Sequence, residues 1–136
     1  MLALLKDLKY PKLHFELVGA LKNEITINLQ NCFKRFFNDA VNQSNLKVLN
    51  LTFTLNSDKI SGSPYHIIVS VDGIFEIIGN FNQQEFEITA TEQLFPYLRN
   101  AVSTIMSNAG FPPIYLPPIN DKSLFNNDNL SISAND

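Results

Sequence analysis

Two histidines, His14 and His66, a single cysteine, Cys32, and thirteen carboxylates are the side chains of this sequence with the most chemistry to offer. Both histidines sit in alternating apolar and polar stretches, and neither has a Cys, Asp or Glu at a spacing that suggests a metal site. Cys32 has no sequence neighbour that marks it as a nucleophile, so a packed thiol is expected. The serines fall in turns and tail, outside any Gly-x-Ser-x-Gly elbow. Five glycines in the whole chain cannot build a phosphate-cradling loop, and Gly62, Gly73 and Gly79 read as turn or bulge residues instead. Glu76, Glu85, Glu87 and Glu92 form the densest acidic group. Paired carboxylates can do acid–base work, but a solvated strand face is the expectation here. No catalytic residue, metal ligand or cofactor emerges, and binding to other proteins is the expected mode of action.

The elements that would carry these residues are legible from periodicity. Leu13, Phe15 and Leu17 alternate with Lys12, His14 and Glu16, as do Ile25, Ile27 and Leu29 with their polar neighbours. Leu49, Leu51, Phe53 and Leu55 alternate with Asn50, Thr52 and Thr54. A period of two predicts strands with one buried and one wetter face. Turn chemistry at residues 56–64 is followed by Tyr65, Ile67, Val69 and Val71. The apolar pattern resumes directly after Asp72-Gly73, so a bulge within one long strand is preferred there to a hairpin turn. Antiparallel pairing follows from the lack of crossover helices between the strands.

Phe33, Phe36, Phe37, Ala40 and Val41 sit at helical spacing. A short helix is preferred for residues 31–45 over a continuation of the preceding strand. Phe95, Leu98, Val102, Ile105, Met106 and Ala109 recur at three- and four-residue steps and predict a helix over about 94–109. Pro96 would lie in its first turn and Gly110 at its C′ stop. Residues 121–126 suit one or two further helical turns, and residues 126–136 read as a polar, flexible tail. The expectation is one α+β domain over residues 1–125.

Composition narrows the function classes. Hydrophobic residues make up 45% of the 136 and charged residues 17%, enough apolar material for a core that hides roughly two-thirds of the unfolded chain's surface. Eleven Phe and no Trp put the aromatic surface into side chains with no polar handle, suited to a core or to an apolar contact surface. The net charge is −3, and the ten basic residues form no run. The footprints of a nucleic-acid binder and of a polybasic membrane patch are therefore missing. One cysteine cannot form an internal disulfide, the N-terminal apolar run is too short for a signal peptide, and no stretch is long enough to span a membrane. A cytoplasmic protein is expected.

Leu94-Phe95-Pro96-Tyr97-Leu98-Arg99, then Gly110-Phe111-Pro112-Pro113 and Leu116-Pro117-Pro118-Ile119-Asn120, resemble the SecB family of protein-export chaperones. Gly73-Ile74-Phe75 with Ile77 and Gly79 resembles that family's last long strand, Phe15-Glu16 the end of its first strand, and Leu124-Phe125 the start of its C-terminal helix. The resemblance covers roughly residues 10–125. It implies a four-stranded antiparallel sheet packed with one long helix and a short C-terminal helix, assembled as a homotetramer, a dimer of dimers. It implies an ATP-independent holdase that keeps unfolded or precursor polypeptides export-competent. Such a task requires long apolar grooves and no reactive site. Leu51, Phe53, Phe75, Tyr97, Val102 and Met106 are the candidate client-binding residues. Glu16 matches one acid of the patch with which family members dock the SecA motor, but Lys12 and Ile68 stand where other acids would be expected. An antitoxin of a toxin–antitoxin system is the alternative client. Outside this family, the alternatives are a structural oligomer and a small hot-dog-like enzyme, which would need His66 or the Glu76–Glu92 pair to converge in a pocket.

Overall fold

The structure, a computed structural model of the chain, describes residues 1–18, 32–39, 45–55, 65–113 and 116. Among these residues the chain forms β1 (Leu2–Leu17), β2 (Phe33–Asp39), β3 (Leu46–Leu55), β4 (Tyr65–Ile78) and α1 (Gln83–Asn108). The strands make one antiparallel sheet in the order β1-β4-β3-β2, and α1 lies across one face of it. The expected strand around Ile25–Leu29, the turn at 56–64, the C-terminal helical turns and the tail lie outside the described residues.

The two central strands follow the alternation read from the sequence. Leu49, Leu51, Phe53 and Leu55 of β3 and Ile67, Val69, Val71 and Phe75 of β4 are all 0% exposed. Their register, Leu51↔Val71, Phe53↔Val69 and Leu55↔Ile67, puts them on the same face. Against that face α1 lays Phe86, Ala90, Leu94, Phe95, Leu98, Val102 and Met106, each 0% exposed. Steps of three, four and one residue keep this stripe aimed at the sheet. Phe33, Phe53 and Phe95 meet at its centre, with ring centroids 5.1 and 5.7 Å apart.

Gly73 is not a bulge. It pairs in unbroken register with Leu49 on one side and with Leu8 on the other. Its lack of a side chain serves the helix instead, since a Cβ there would come within 2.6 Å of Leu94 Cδ2, so α1 can settle close to β4 only over a glycine. The irregularities lie in β1, between Leu5 and Asp7 and between Lys9 and Lys12. Each extra residue reverses which side chains face inward. The helix-facing set is therefore Ala3, Leu5 and Leu8, then Leu13, Phe15 and Leu17.

Residues 33–39 form an edge strand where a short helix was expected. Phe33 and Phe37 are four residues apart, a spacing that shares a face in a strand as well as in a helix. Pairing decides between the two: Phe33↔Phe53, Arg35↔Leu51 and Phe37↔Leu49 place both rings over the helix side, and the Thr54 N–H donates to the Cys32 carbonyl at 2.8 Å. Arg35, on the same side, donates from Nη1 to Thr91 Oγ1 at 3.1 Å, and its Nε lies 3.9 Å from Glu87 Oε1. This edge strand is thereby tied to α1.

The helix begins eleven residues earlier than expected, at Gln83. Asn82 caps it by accepting the Glu85 N–H at 2.9 Å, and Phe81 packs on Phe86 with centroids 5.8 Å apart, a hydrophobic staple across the cap. Glu85, Glu87 and Glu92 accordingly stand on a helix and not on a strand face. Pro96 falls in the helix interior, where it removes the hydrogen bond to Glu92. The other end stops as expected. Gly110 has φ +89°, its N–H reaches the Ser107 carbonyl and the Phe111 N–H reaches that of Met106, both at 3.0 Å. Together they form a Schellman motif whose Phe111 folds back onto Phe15 and Tyr65.

Candidate functional site

Where α1 passes the edge strand β1 it covers it only in part: Ala3 is buried, whereas Leu13 and Leu17 are exposed. The deep stripe of the helix is aimed at β3 and β4, and the flank turned to β1 carries Pro96, Tyr97, Asn100, Ala101, Thr104 and Ile105. Two adjoining cavities open there. One, about 750 Å³, is lined by Leu4, Leu5, Glu92, Gln93, Pro96, Tyr97 and Asn100. The other, about 370 Å³, is lined by Tyr10, Leu13, Asn100, Ala101, Thr104, Ile105 and Asn108. Asn100 borders both, so the cavities adjoin along the helix.

The groove wall is apolar and exposed. Tyr10 is 40% exposed, Leu13 54% and Tyr97 39%. Small Ala101 leaves the space that a larger residue would fill, and the extra residues in β1 swing Tyr10 and Leu13 toward the helix flank. The backbone at one end of the groove is already occupied. Ile77 donates its N–H to Asn45, on the β3 side. Its partner Ala3 therefore turns its own carbonyl to the open edge of β1, where Gln93 Nε2 donates to it at 3.0 Å.

Of the six candidate client-binding residues, Tyr97 alone lines this groove. Leu51, Phe53, Phe75, Val102 and Met106 are 0% exposed and lie between helix and sheet, where their burial belongs to the core. Tyr10, Leu13, Ala101 and Ile105 line the groove without having been singled out. Leu13 and Ile105 share the apolar spacing of core residues, and only the position of α1 over the sheet separates the two fates.

Glu16 stands on the opposite, helix-free face of the sheet, paired with His66, while Lys12 pairs with Ser70 and Ile68 with His14. Along the middle of that face Asn50 Nδ2 donates to Ser70 Oγ and Asp72 Oδ1, both at 2.7 Å, and Thr52 Oγ1 donates to Asn50 Oδ1 at 2.8 Å. Glu76 is on this face beside Lys6, at 3.7 Å, whereas Glu92 borders the groove on the other side. The sheet separates the two carboxylates, so they share no pocket. Cys32 is 2% exposed, and burial pushes its thiol up to about 11, far from the range of a reactive thiolate. Among the described residues no group of three or more His, Cys, Asp or Glu is arranged to hold a metal ion. No described helix is long and apolar enough to cross a membrane.

Apolar side chains line much of this groove, and similarities to known proteins place the fold around it in a family. The family model of the preprotein translocase subunit SecB matches residues 11–131. A protein-export protein SecB of Dichelobacter nodosus is 36% identical over 80 residues, 57% of this chain and 51% of that protein. One from Xanthomonas euvesicatoria is 31% identical over 106 residues, 75% and 58% of the two chains. An uncharacterized protein of Methanocaldococcus jannaschii is 46% identical over 61 residues, 43% and 39% of the two. This chain spans about half the length of these relatives. Among solved structures, the SecB-like chaperone Rv1957 of Mycobacterium tuberculosis, in complex with a ChAD peptide from the HigA1 antitoxin, superposes with a TM-score of 0.65 at 15% identity, covering 87% of this chain and 88% of that one. The four-stranded antiparallel sheet with its long helix is the SecB-like fold, and with the family model matching most of its length, this chain belongs to the SecB family.

Proposed function

We propose that this protein is an ATP-independent holdase that binds extended, unfolded polypeptide in the groove between β1 and α1. The observation that carries the reading is the group of exposed apolar side chains, Tyr97, Tyr10 and Leu13, along a trough beside an edge strand. An unfolded client differs from a folded protein in presenting apolar side chains and backbone together, and a long shallow trough is complementary to both. Membership in a family of chaperones supports this assignment over an enzyme or a purely structural subunit. A cytoplasmic place of action and assembly as a homotetramer, a dimer of dimers, are parts of the same proposal.

Two client classes fit: precursors held for export, and an antitoxin. The helix-free face favours the second. Among its described residues Lys6, Lys9, Lys12 and Lys34 balance Asp7, Glu16, Asp72 and Glu76. Docking of a cationic partner such as the SecA tail requires an excess of acid, and Glu16 does not supply that excess. The Rv1957 complex with an antitoxin peptide supplies the chemistry of the alternative.

The test is refolding of a slowly folding, urea-unfolded polypeptide in the presence of the purified protein, with light scattering to give the mass. The proposal expects stoichiometric suppression of refolding without ATP by a species of about four chains. Tyr97→Ala is expected to weaken suppression by about tenfold, the scale of an aromatic anchor lost from an interface, while leaving the melting temperature within a few degrees. Normal refolding beside an intact oligomer would sink the general-holdase reading. Tight capture of one antitoxin segment with no effect on other clients would establish the dedicated alternative.

A further inference from the structure

We propose that the apolar end of the helix-free face is a second contact for the same extended client, so that a polypeptide lying in the groove turns past the start of β1 and continues across the sheet. The inference rests on the holdase reading. The outer face changes character along its length. Its middle carries the polar ladder of Asn50, Thr52, Ser70 and Asp72. Toward the start of β1 the same face turns apolar, with Leu2 and Leu4 of β1, Ile74 and Ile78 of β4, Val48 of β3 and Phe36 of β2. Register makes these side chains neighbours. Leu2 pairs with Ile78 and Ile74 with Val48, while Phe36 pairs with Asn50, the next residue on that face of β3. Leu2 is 59% exposed, Leu4 40%, Ile78 46% and Phe36 42%. Single exposed apolar residues are ordinary, but a contiguous group on one face marks a place of association.

Two observations name the occupant. Leu4 also lines the cavity of about 750 Å³ beside α1, so one side chain belongs to both surfaces. A chain leaving the groove there meets Leu2 and Ile78 next. The charge inside the patch is compensated within it: Glu76, which pairs with Leu4, has Lys6 Nζ at 3.7 Å. A charged partner gains little from such a surface, whereas the apolar side chains of an unfolded chain are removed from water on it. Strands lie about 4.8 Å apart and an extended chain advances about 3.3 Å per residue, so about five residues carry the client from Leu4 to Phe36. Contacts at groove and patch then act together, and only a client long enough to reach both gains from the pair.

The experiment measures, by fluorescence anisotropy with the full chain, the affinity for two labelled probes. One is a urea-unfolded polypeptide of about a hundred residues, the other an apolar peptide of about six, too short to fill both surfaces. The double variant Leu2→Ser with Ile78→Ser, and separately Phe36→Ser, are expected to bind the long probe about tenfold more weakly and the peptide unchanged. Tyr97→Ala is expected to weaken both. The patch positions are exposed, and unchanged melting temperatures establish that the variants fold. Phe36→Ser, on another strand, decides the matter if the double variant does not fold. Unchanged long-probe affinity in the patch variants, with Tyr97→Ala still weakening both, overturns the second contact and leaves the groove in place. An equal loss for both probes overturns it as well, because the patch then supports the groove and makes no separate contact. A drop in oligomer mass by light scattering in the patch variants also overturns it, because a second copy of the chain then covers this face. If Tyr97→Ala changes neither probe, the groove reading fails and the continued path fails with it.

Discussion

The two faces of the sheet solve different problems with the same strands. Toward the helix, β3 and β4 present Leu49, Leu51, Phe53, Leu55, Ile67, Val69 and Phe75, all 0% exposed. Away from it, the alternate residues of the same strands, Asn50, Thr52, Ser70 and Asp72, satisfy one another in a ladder of side-chain hydrogen bonds. The helix-facing side holds the chain together by removing apolar area from water. Along its middle the outer side needs no cover, because its polar groups are paired where they stand. A face built in this way can remain open to partners, and the groove beside β1 lies at the border of the two, where the covered side runs past the end of its cover.

The largest expected effect comes from changing one residue type on opposite faces. Phe53 on β3 is 0% exposed and Phe36 on the neighbouring β2 is 42% exposed, with their side chains on opposite sides of the sheet. Phe53→Ala is expected to cost about 3–5 kcal/mol, the lost transfer energy plus a cavity under α1. Phe36→Ala is expected to stay within about 1 kcal/mol. Urea denaturation of both variants measures the difference. Equal costs would mean that the outer face is covered in solution, by another copy of the chain or by a partner.

That contrast was largely legible in the sequence, because β3 and β4 alternate without interruption and alternation maps directly onto faces. Elements whose pattern admits two periods were less legible. Phe33 and Phe37 share a face in a helix and in a strand, and only the partner strand β3 distinguishes the two. The apolar positions of β1 shift phase twice, and a phase shift hides alternation from any fixed window. The early start of α1 was written in Asn82 and Glu85, flanked by Phe81 and Phe86, a capping box with its staple. The glutamates that follow were read as a strand face, and Pro96 as a first-turn proline. At the site, Tyr97 was legible and the other groove residues were not. Whether an apolar side chain ends in the core or in the groove depends on how far the helix lies from edge strand β1.

A smaller effect probes the outer face itself. Asn50 bridges β3 and β4 by donating to both Ser70 and Asp72. Asn50→Ala removes both bonds and leaves Ser70, 8% exposed, with Thr52 as its remaining partner on this ladder. A cost of about 1–2 kcal/mol is expected, the range for a polar group losing partners at a half-buried site. Asn50→Asp should cost more, since it places a second carboxylate against Asp72. A neutral outcome for Asn50→Ala in urea denaturation would show that water replaces the ladder without loss, and that the outer face contributes no specificity to strand pairing.

A last effect is invisible at neutral pH and appears only in alkali. Cys32 sits at the start of β2, 2% exposed, and desolvation raises its thiol from 9.0 to about 11. Burial penalises the thiolate, so the folded state keeps the proton more tightly than the unfolded state does. The stabilisation that follows is complete below pH 9, where both states hold the proton. It is lost as pH rises from about 9 to about 11, because the unfolded chain gains by ionising and the folded one does not. Melting curves of the protein and of Cys32→Ala across that window isolate the contribution. The alanine variant is less stable by a constant amount up to pH 9, through lost packing, and the two curves draw together above it. Parallel curves to pH 11 would mean that the thiol ionises with equal ease in both states. Cys32 would then lie at an opened edge of β2, and the helix-covered face would end one residue short of where the structure places it.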